Sequence, residues 1–130
     1  MTGNDVAHRQ RIYYGALLAA ILLFTAFEEL YLRHWLVQHY GHTSILAGSL
    51  PNFLAAILLS LVVAIVKPPI SRSDSLRPAV TAVSALVLYE IAQIWMPHRT
   101  FDWYDIAATL LGGLAVWPAI LAVAKDANSA

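Results

Sequence analysis

Four apolar runs, at 12–27, 45–66, 79–95 and 104–124, alternate with short polar connections along the chain. A helix that crosses a membrane needs roughly 17–25 mostly apolar residues. The runs at 45–66 and 104–124 meet that length. The other two reach it by extending through residues with polar tips. The pattern predicts an all-α membrane protein with four transmembrane helices, over about 10–29, 45–66, 79–96 and 103–124. After Phe27 the chain changes to EELYLRHWLVQHYGH, in which Tyr31, Trp35 and Tyr40 recur among Arg33, His34, His39 and His42. Aromatic rings with polar tips favour the membrane–water boundary. This predicts an interfacial continuation of the first helix over about 30–41, with Gly41 as its stop.

The connection KPPISRSDSLR carries Pro68, Pro69 and, just after it, Pro78. Proline cannot continue a helix interior and restricts the residue before it, so this loop ends one helix and restarts the next. It is too short for a domain linker, and residues 1–130 read as one domain. Small residues stand at spacings that let helices approach in lipid, Gly15 with Ala19 and Ala108 with Gly112. Pro118 falls inside the fourth helix, where a kink is expected.

Composition agrees with the hydropathy pattern. Of the 130 residues, 12% are charged, about half the share of a soluble domain. Formal net charge is zero, so no basic field points to nucleic acid. The absence of cysteine excludes disulfides, Cys-ligated zinc and thiol catalysis. The first run follows His8, Arg9 and Arg11, as a leader peptide would. No small-x-small cleavage site follows it, and it reads as a retained anchor.

Lys and Arg are distributed unevenly. Arg9, Arg11, Lys67, Arg72, Arg77 and Lys125 fall on the N-terminal segment, the central loop and the C-terminal tail; Arg33 and Arg99 fall on the other two connections. The positive-inside rule places both termini and the central loop in the cytoplasm. The connection between the third and fourth helices then turns over outside the membrane.

That connection concentrates the chemistry. YEIAQIWMPHRTFDWYDIAATLLGG, residues 89–113, sets Glu90, Gln93, Arg99, Asp102, Asp105 and Thr109 between two apolar segments. Ionisable groups at the edge of hydrocarbon are costly and mark either pairing or function. Glu90 and Gln93 are three apart and share a helix face. Asp102 stands where a helix cap is needed, with Asp105 at capping-box spacing after it. Two readings stay open. In one, Arg99 pairs with Glu90, Asp102 or Asp105 and staples the third helix to the fourth. In the other, three carboxyls and one guanidinium leave a surplus of acid, which serves acid–base chemistry or a polar ligand.

Smaller candidates accompany it. Glu28 and Glu29 point about 100° apart on a helix; they read as solvated interfacial residues, with the alternative that Glu28 joins the Glu90 cluster. His34, His39, His42 and His98 lack the i, i+4 spacing of a helical metal site. No metal ligand set and no cofactor are assigned. Ser49, Asn52 and Ser60 read as hydrogen-bonding residues of the second helix. No G-x-S-x-G, P-loop or dinucleotide fingerprint is present.

The segment E-x-x-Q, then arginine, then F-D, then D-x-x-x-T-x-x-G resembles the VanZ-like family of small bacterial membrane proteins. Glu90, Gln93, Pro97, Arg99, Phe101, Asp102, Asp105 and Gly112 fall in matching positions, over roughly the last third of the chain. The family often has Asn where this chain has Thr109, and a His where it has Asn52. Both exchanges weaken a proton-transfer role there. The resemblance implies a multi-pass protein of the bacterial inner membrane and cell envelope, uncharacterised in activity, with a link to glycopeptide (teicoplanin-type) antibiotic resistance. The expectation is a non-enzymatic protein whose outer cluster binds an envelope component. Partners would be membrane lipid, a lipid-linked envelope component or a partner membrane protein, with homo-oligomers open. The alternative is an intramembrane enzyme acting on a lipid-linked or lipid head-group substrate, with Glu90 as acid/base and Arg99 as anion clamp. A small carrier ranks third, because four helices are few for that task.

Overall fold

A computed structural model describes residues 2–40 and 45–129, and for 45–47 and 125–129 only the path of the backbone. The order of elements is α1 (Gly3–Phe27), a π-helical turn (Glu28–Leu32), α2 (Arg33–Tyr40), α3 (Ile45–Val66), α4 (Arg77–Ala92), a 3₁₀ turn (Gln93–Trp95) and α5 (Trp103–Ser129). Among the described residues there is no strand. Four helices are long and apolar enough to cross a membrane, and the first continues unbroken from Gly3 to Tyr40. The chain is an all-α, multi-pass membrane protein. Gly41 and His42 lie outside the described residues, as does the side chain of Lys125.

Helix α1 starts seven residues before the predicted start near residue 10, and the cause is local. Thr2 accepts from the Asp5 backbone N–H, while the Asp5 carboxyl accepts from the Thr2 N–H at 3.2 Å and its hydroxyl at 2.8 Å. This is a capping box, which satisfies orphan donors of the first turn. Helix α4 likewise starts at Arg77, two residues early, with Pro78 in its first turn. There the missing N–H removes no helical bond. At 38 residues and about 1.5 Å each, the first helix spans roughly 57 Å. That is nearly twice the hydrocarbon thickness of about 30 Å, so the helix is longer than one crossing needs.

Helix α3 is central and packs against α5, α4 and α1. Its loop-side half forms the core with neighbours from every long helix: Tyr14, Ile57, Leu61, Ala64, Ala79, Val116 and Ile120 are all buried. The Tyr14 hydroxyl donates to the Ile120 carbonyl at 3.4 Å, which gives the phenol a partner away from water. Most of α1 faces outward, with Ile12, Leu22, Leu23, Phe24 and Phe27 exposed, as suits a surface solvated by lipid.

One of the two small-residue pairs makes a close approach. A Cβ at Gly112 would overlap the Phe53 carbonyl oxygen and come 2.8 Å from the Ala56 Cβ. Helices α3 and α5 therefore meet backbone to backbone. A Cβ at Gly15 would meet nothing within 4 Å, so that spacing serves no contact here.

The end of α3 is tied down by side chains from its neighbours. Gln10 donates to the Pro69 carbonyl at 2.8 Å, Arg11 to the Ile65 carbonyl at 3.0 Å, and Arg77 to the Lys67 carbonyl at 2.6 Å. Carbonyls in the last turn of a helix lack intrahelical partners, and cations favour that end of the macrodipole. Arg77 also pairs with Asp74 at 3.0 Å. Trp117 donates its indole N–H to Ser75 Oγ at 3.3 Å, joining α5 to the same loop. The start of α1 and the 67–76 loop thus share one end of the bundle. The corner between α4 and α5 lies at the other.

Candidate functional site

The corner is built by an abrupt change of backbone. Helix α4 tightens into the 3₁₀ turn at Gln93–Trp95, and Met96 turns extended before Pro97. His98 takes φ 63°, the left-handed region that non-glycine residues seldom occupy. Helix α5 then restarts on Asp102, whose Oδ1 accepts from the Tyr104 N–H at 2.9 Å. Asp102 is the cap the spacing predicts. Asp105 does not return the bond as a capping box would; its carboxyl faces the side-chain amide of Asn52 on α3 as a hydrogen-bond acceptor.

Three elements thereby converge. Glu90 and Gln93 come from the end of α4, Asp105 and Thr109 from the first turns of α5, and Asn52 from α3. Glu90 is 4% exposed, Gln93 7% and Thr109 1%. Asp105 and Asn52 are half-buried, while Arg99 and Asp102 are exposed. Gln93 donates toward the Glu90 carboxyl, and the charged groups acting on Glu90 are, strongest first, Asp105, Asp102 and Arg99. The Thr109 hydroxyl donates to the Asp105 carbonyl at 2.8 Å within its own helix. It is buried against the site with its only donor already engaged.

Two features decide what this cluster does. Glu90 Oε2 is buried and has no hydrogen-bond partner among the described residues. Arg99, the staple in one of the two readings of the sequence, forms no ion pair among the described residues; it stands exposed at the rim, and its charge reaches Glu90 only through space. A closed salt-bridge network would have satisfied both groups. What joins α3 to α5 at this level is the Gly112–Phe53 approach and the Asn52–Asp105 contact.

Glu28 departs from expectation. It is completely buried, and among the described residues only the adjacent Glu29 carboxyl comes near its own as a hydrogen-bond neighbour, where the sequence predicts a solvated interfacial residue. The π-helical turn carries Glu28 inward, while Glu29 stays exposed and pairs with Arg33 at 3.3 Å. The charged groups acting on Glu28 are Glu29 and Arg33, so it does not join the Glu90 cluster. Single π turns are frequent at functional sites, but no sequence signal marks this one.

Three of the remaining polar candidates are engaged locally. His34 bonds Gln38 at 2.9 Å, His39 bonds the Trp35 carbonyl at 2.9 Å, and Ser60 donates to the Ala56 carbonyl at 2.6 Å. A shallow apolar groove of about 380 Å³ runs along Phe27, Leu30, Tyr31, His34, Trp35 and Gln38. It shares no residue with the Glu90 corner.

Comparison with models of protein families, with curated proteins and with solved structures finds no match to this chain.

Proposed function

We propose that this is a VanZ-like protein of the bacterial cell envelope, held in the inner membrane with both termini cytoplasmic. Its corner of Glu90, Gln93, Arg99, Asp102 and Asp105, with Asn52 and Thr109 behind, binds an envelope component or partner without chemical turnover. The six-to-two division of Lys and Arg supports the orientation. It gathers Arg11, Lys67 and Arg77 at the loop end of the bundle, opposite the corner. The match of residue types over 90–112 supports the family and, through it, a link to teicoplanin-type resistance.

The observation that carries the binding reading is the unpartnered Glu90 Oε2, buried beside Asp105 and out of ion-pair reach of Arg99. A buried acceptor without a partner costs stability, about 1–3 kcal/mol by mutational measures. A bound donor removes that cost. The test compares teicoplanin susceptibility of bacteria carrying the parent chain, Glu90→Gln or no copy. Protection by the parent, lost in Glu90→Gln while insertion and heat resistance are retained, is the expected result. Equal protection by parent and variant removes the corner from the function; no protection by the parent removes the resistance link.

A further inference from the structure

The corner's chemistry narrows the ligand. Three carboxyls, Glu90, Asp102 and Asp105, face a single guanidinium that touches none of them. The neutral neighbours Gln93 and Asn52 already direct donors at Glu90 and Asp105. An acceptor nonetheless remains: Glu90 Oε2, buried at the floor of the corner with no donor on it. A ligand that completes the site must bring donors and positive charge.

A metal ion does not fit. Among the described residues no three carboxyl or imidazole groups converge closely enough to ligate one. The acids are stepped instead. Glu90 lies at the floor, Asp105 is half-buried above it, and Asp102 and Arg99 are exposed at the rim. An organic ammonium suits that arrangement, since its three N–H donors diverge and can serve acceptors at different depths. Arg99 then stands where an anionic group next to the ammonium would lie, and guanidinium favours phosphate. The corner also sits at the end of a membrane span, where head groups are concentrated.

We propose that the corner receives a primary ammonium group carried on an amphiphile, with Glu90 Oε2 as the deep acceptor, Asp105 and Asp102 flanking it, and Arg99 facing the adjacent anion. This rests on the reading that the corner binds a ligand at all. A quaternary ammonium carries charge but no N–H donor, so the two head-group types separate donor recognition from charge alone.

The full chain is reconstituted in nanodiscs of phosphatidylcholine with or without phosphatidylethanolamine, and separately in detergent with free ethanolamine. Thermal unfolding and the lipids retained in native mass spectra are read. Phosphatidylethanolamine is expected to raise the unfolding temperature and to be retained selectively. Glu90→Gln is expected to weaken this at least about tenfold, the worth of one charge-assisted hydrogen bond, and Glu29→Gln to leave it intact. Asp105→Asn, checked for parental helix content, serves as a second variant with the same expected direction. Protection by ethanolamine as well assigns recognition to the ammonium alone; protection by phosphatidylethanolamine only assigns it to the whole head group. No response of the parent chain to either amine overturns the proposal. If the parent retains a lipid without an N–H-bearing amine, and Glu90→Gln loses it, ligand binding stands and the ammonium assignment falls. If parent and Glu90→Gln retain the same lipids and respond alike, both fall.

Discussion

Gly112 lies so close to Phe53 that a methyl group on its α-carbon would overlap the Phe53 carbonyl oxygen. This approach sets the spacing of α3 and α5, and with it the reach from Asn52 to Asp105. Gly112→Ala is expected to destabilise the protein by about 1–3 kcal/mol, the usual cost of overpacking against atoms that cannot move aside. Gly15→Ala meets open space and should fall within about 0.5 kcal/mol of the parent. Unfolding of the two variants in detergent, measured side by side, checks the contrast.

Glu28 offers a test of a buried carboxyl outside the corner. Neither of its oxygens has a geometrically sound hydrogen bond among the described residues, and replacing such a buried polar group by an apolar one of similar volume removes a desolvation cost. Glu28→Met is expected to stabilise the fold by at least about 1 kcal/mol. Glu29→Met breaks only a half-exposed pair with Arg33 and should change stability by less than about 1 kcal/mol. Thermal unfolding of both variants reads the difference, and a large loss for Glu28→Met would reveal an interaction made by its carboxyl.

Gln10 reaches 59 residues along the chain to the Pro69 carbonyl, and the bond is buried. Gln10→Leu keeps the bulk and leaves that carbonyl without its donor. A loss of about 1–3 kcal/mol is expected, seen as a lower unfolding temperature and as faster proteolysis in the 67–76 loop.

The proposed orientation is open to labelling, since the chain has no cysteine. A membrane-impermeant thiol reagent added outside is expected to modify Thr100→Cys and to spare Ser73→Cys until the membrane is opened. Labelling in the reverse order would invert the topology.

Sequence and structure agree most closely where a local rule decides. The end of α3 at Val66 coincides with the end of the apolar run and its closing prolines. The early start of α1 was also legible, because Thr2-x-x-Asp5 is a capping-box spacing, but hydropathy alone passes over it. Asp102 as the cap of α5 follows from its position before the apolar run. Contacts between helices were not legible in this way. Asn52 meets Asp105 because α3 and α5 cross at Gly112, and only one of two similar small-residue spacings makes such a crossing. The burial of Glu28 depends on one π turn, for which the residues EELYL give no warning. The Arg99 staple was chemically sound and is not formed, because the extended backbone at Met96 and the left-handed His98 leave the guanidinium at the rim.

In the proposed function the buried Glu90 Oε2 is the acceptor for a ligand and not one half of a salt-bridge staple with Arg99. A double-mutant cycle on Glu90→Gln and Arg99→Ala, read by unfolding in detergent, tests it most directly. A coupling below about 0.5 kcal/mol is expected, the level found for residues that do not share a contact, with Glu90→Gln alone no less stable than the parent. A coupling of about 1–3 kcal/mol, with both single variants destabilised, is what a staple gives and would contradict it.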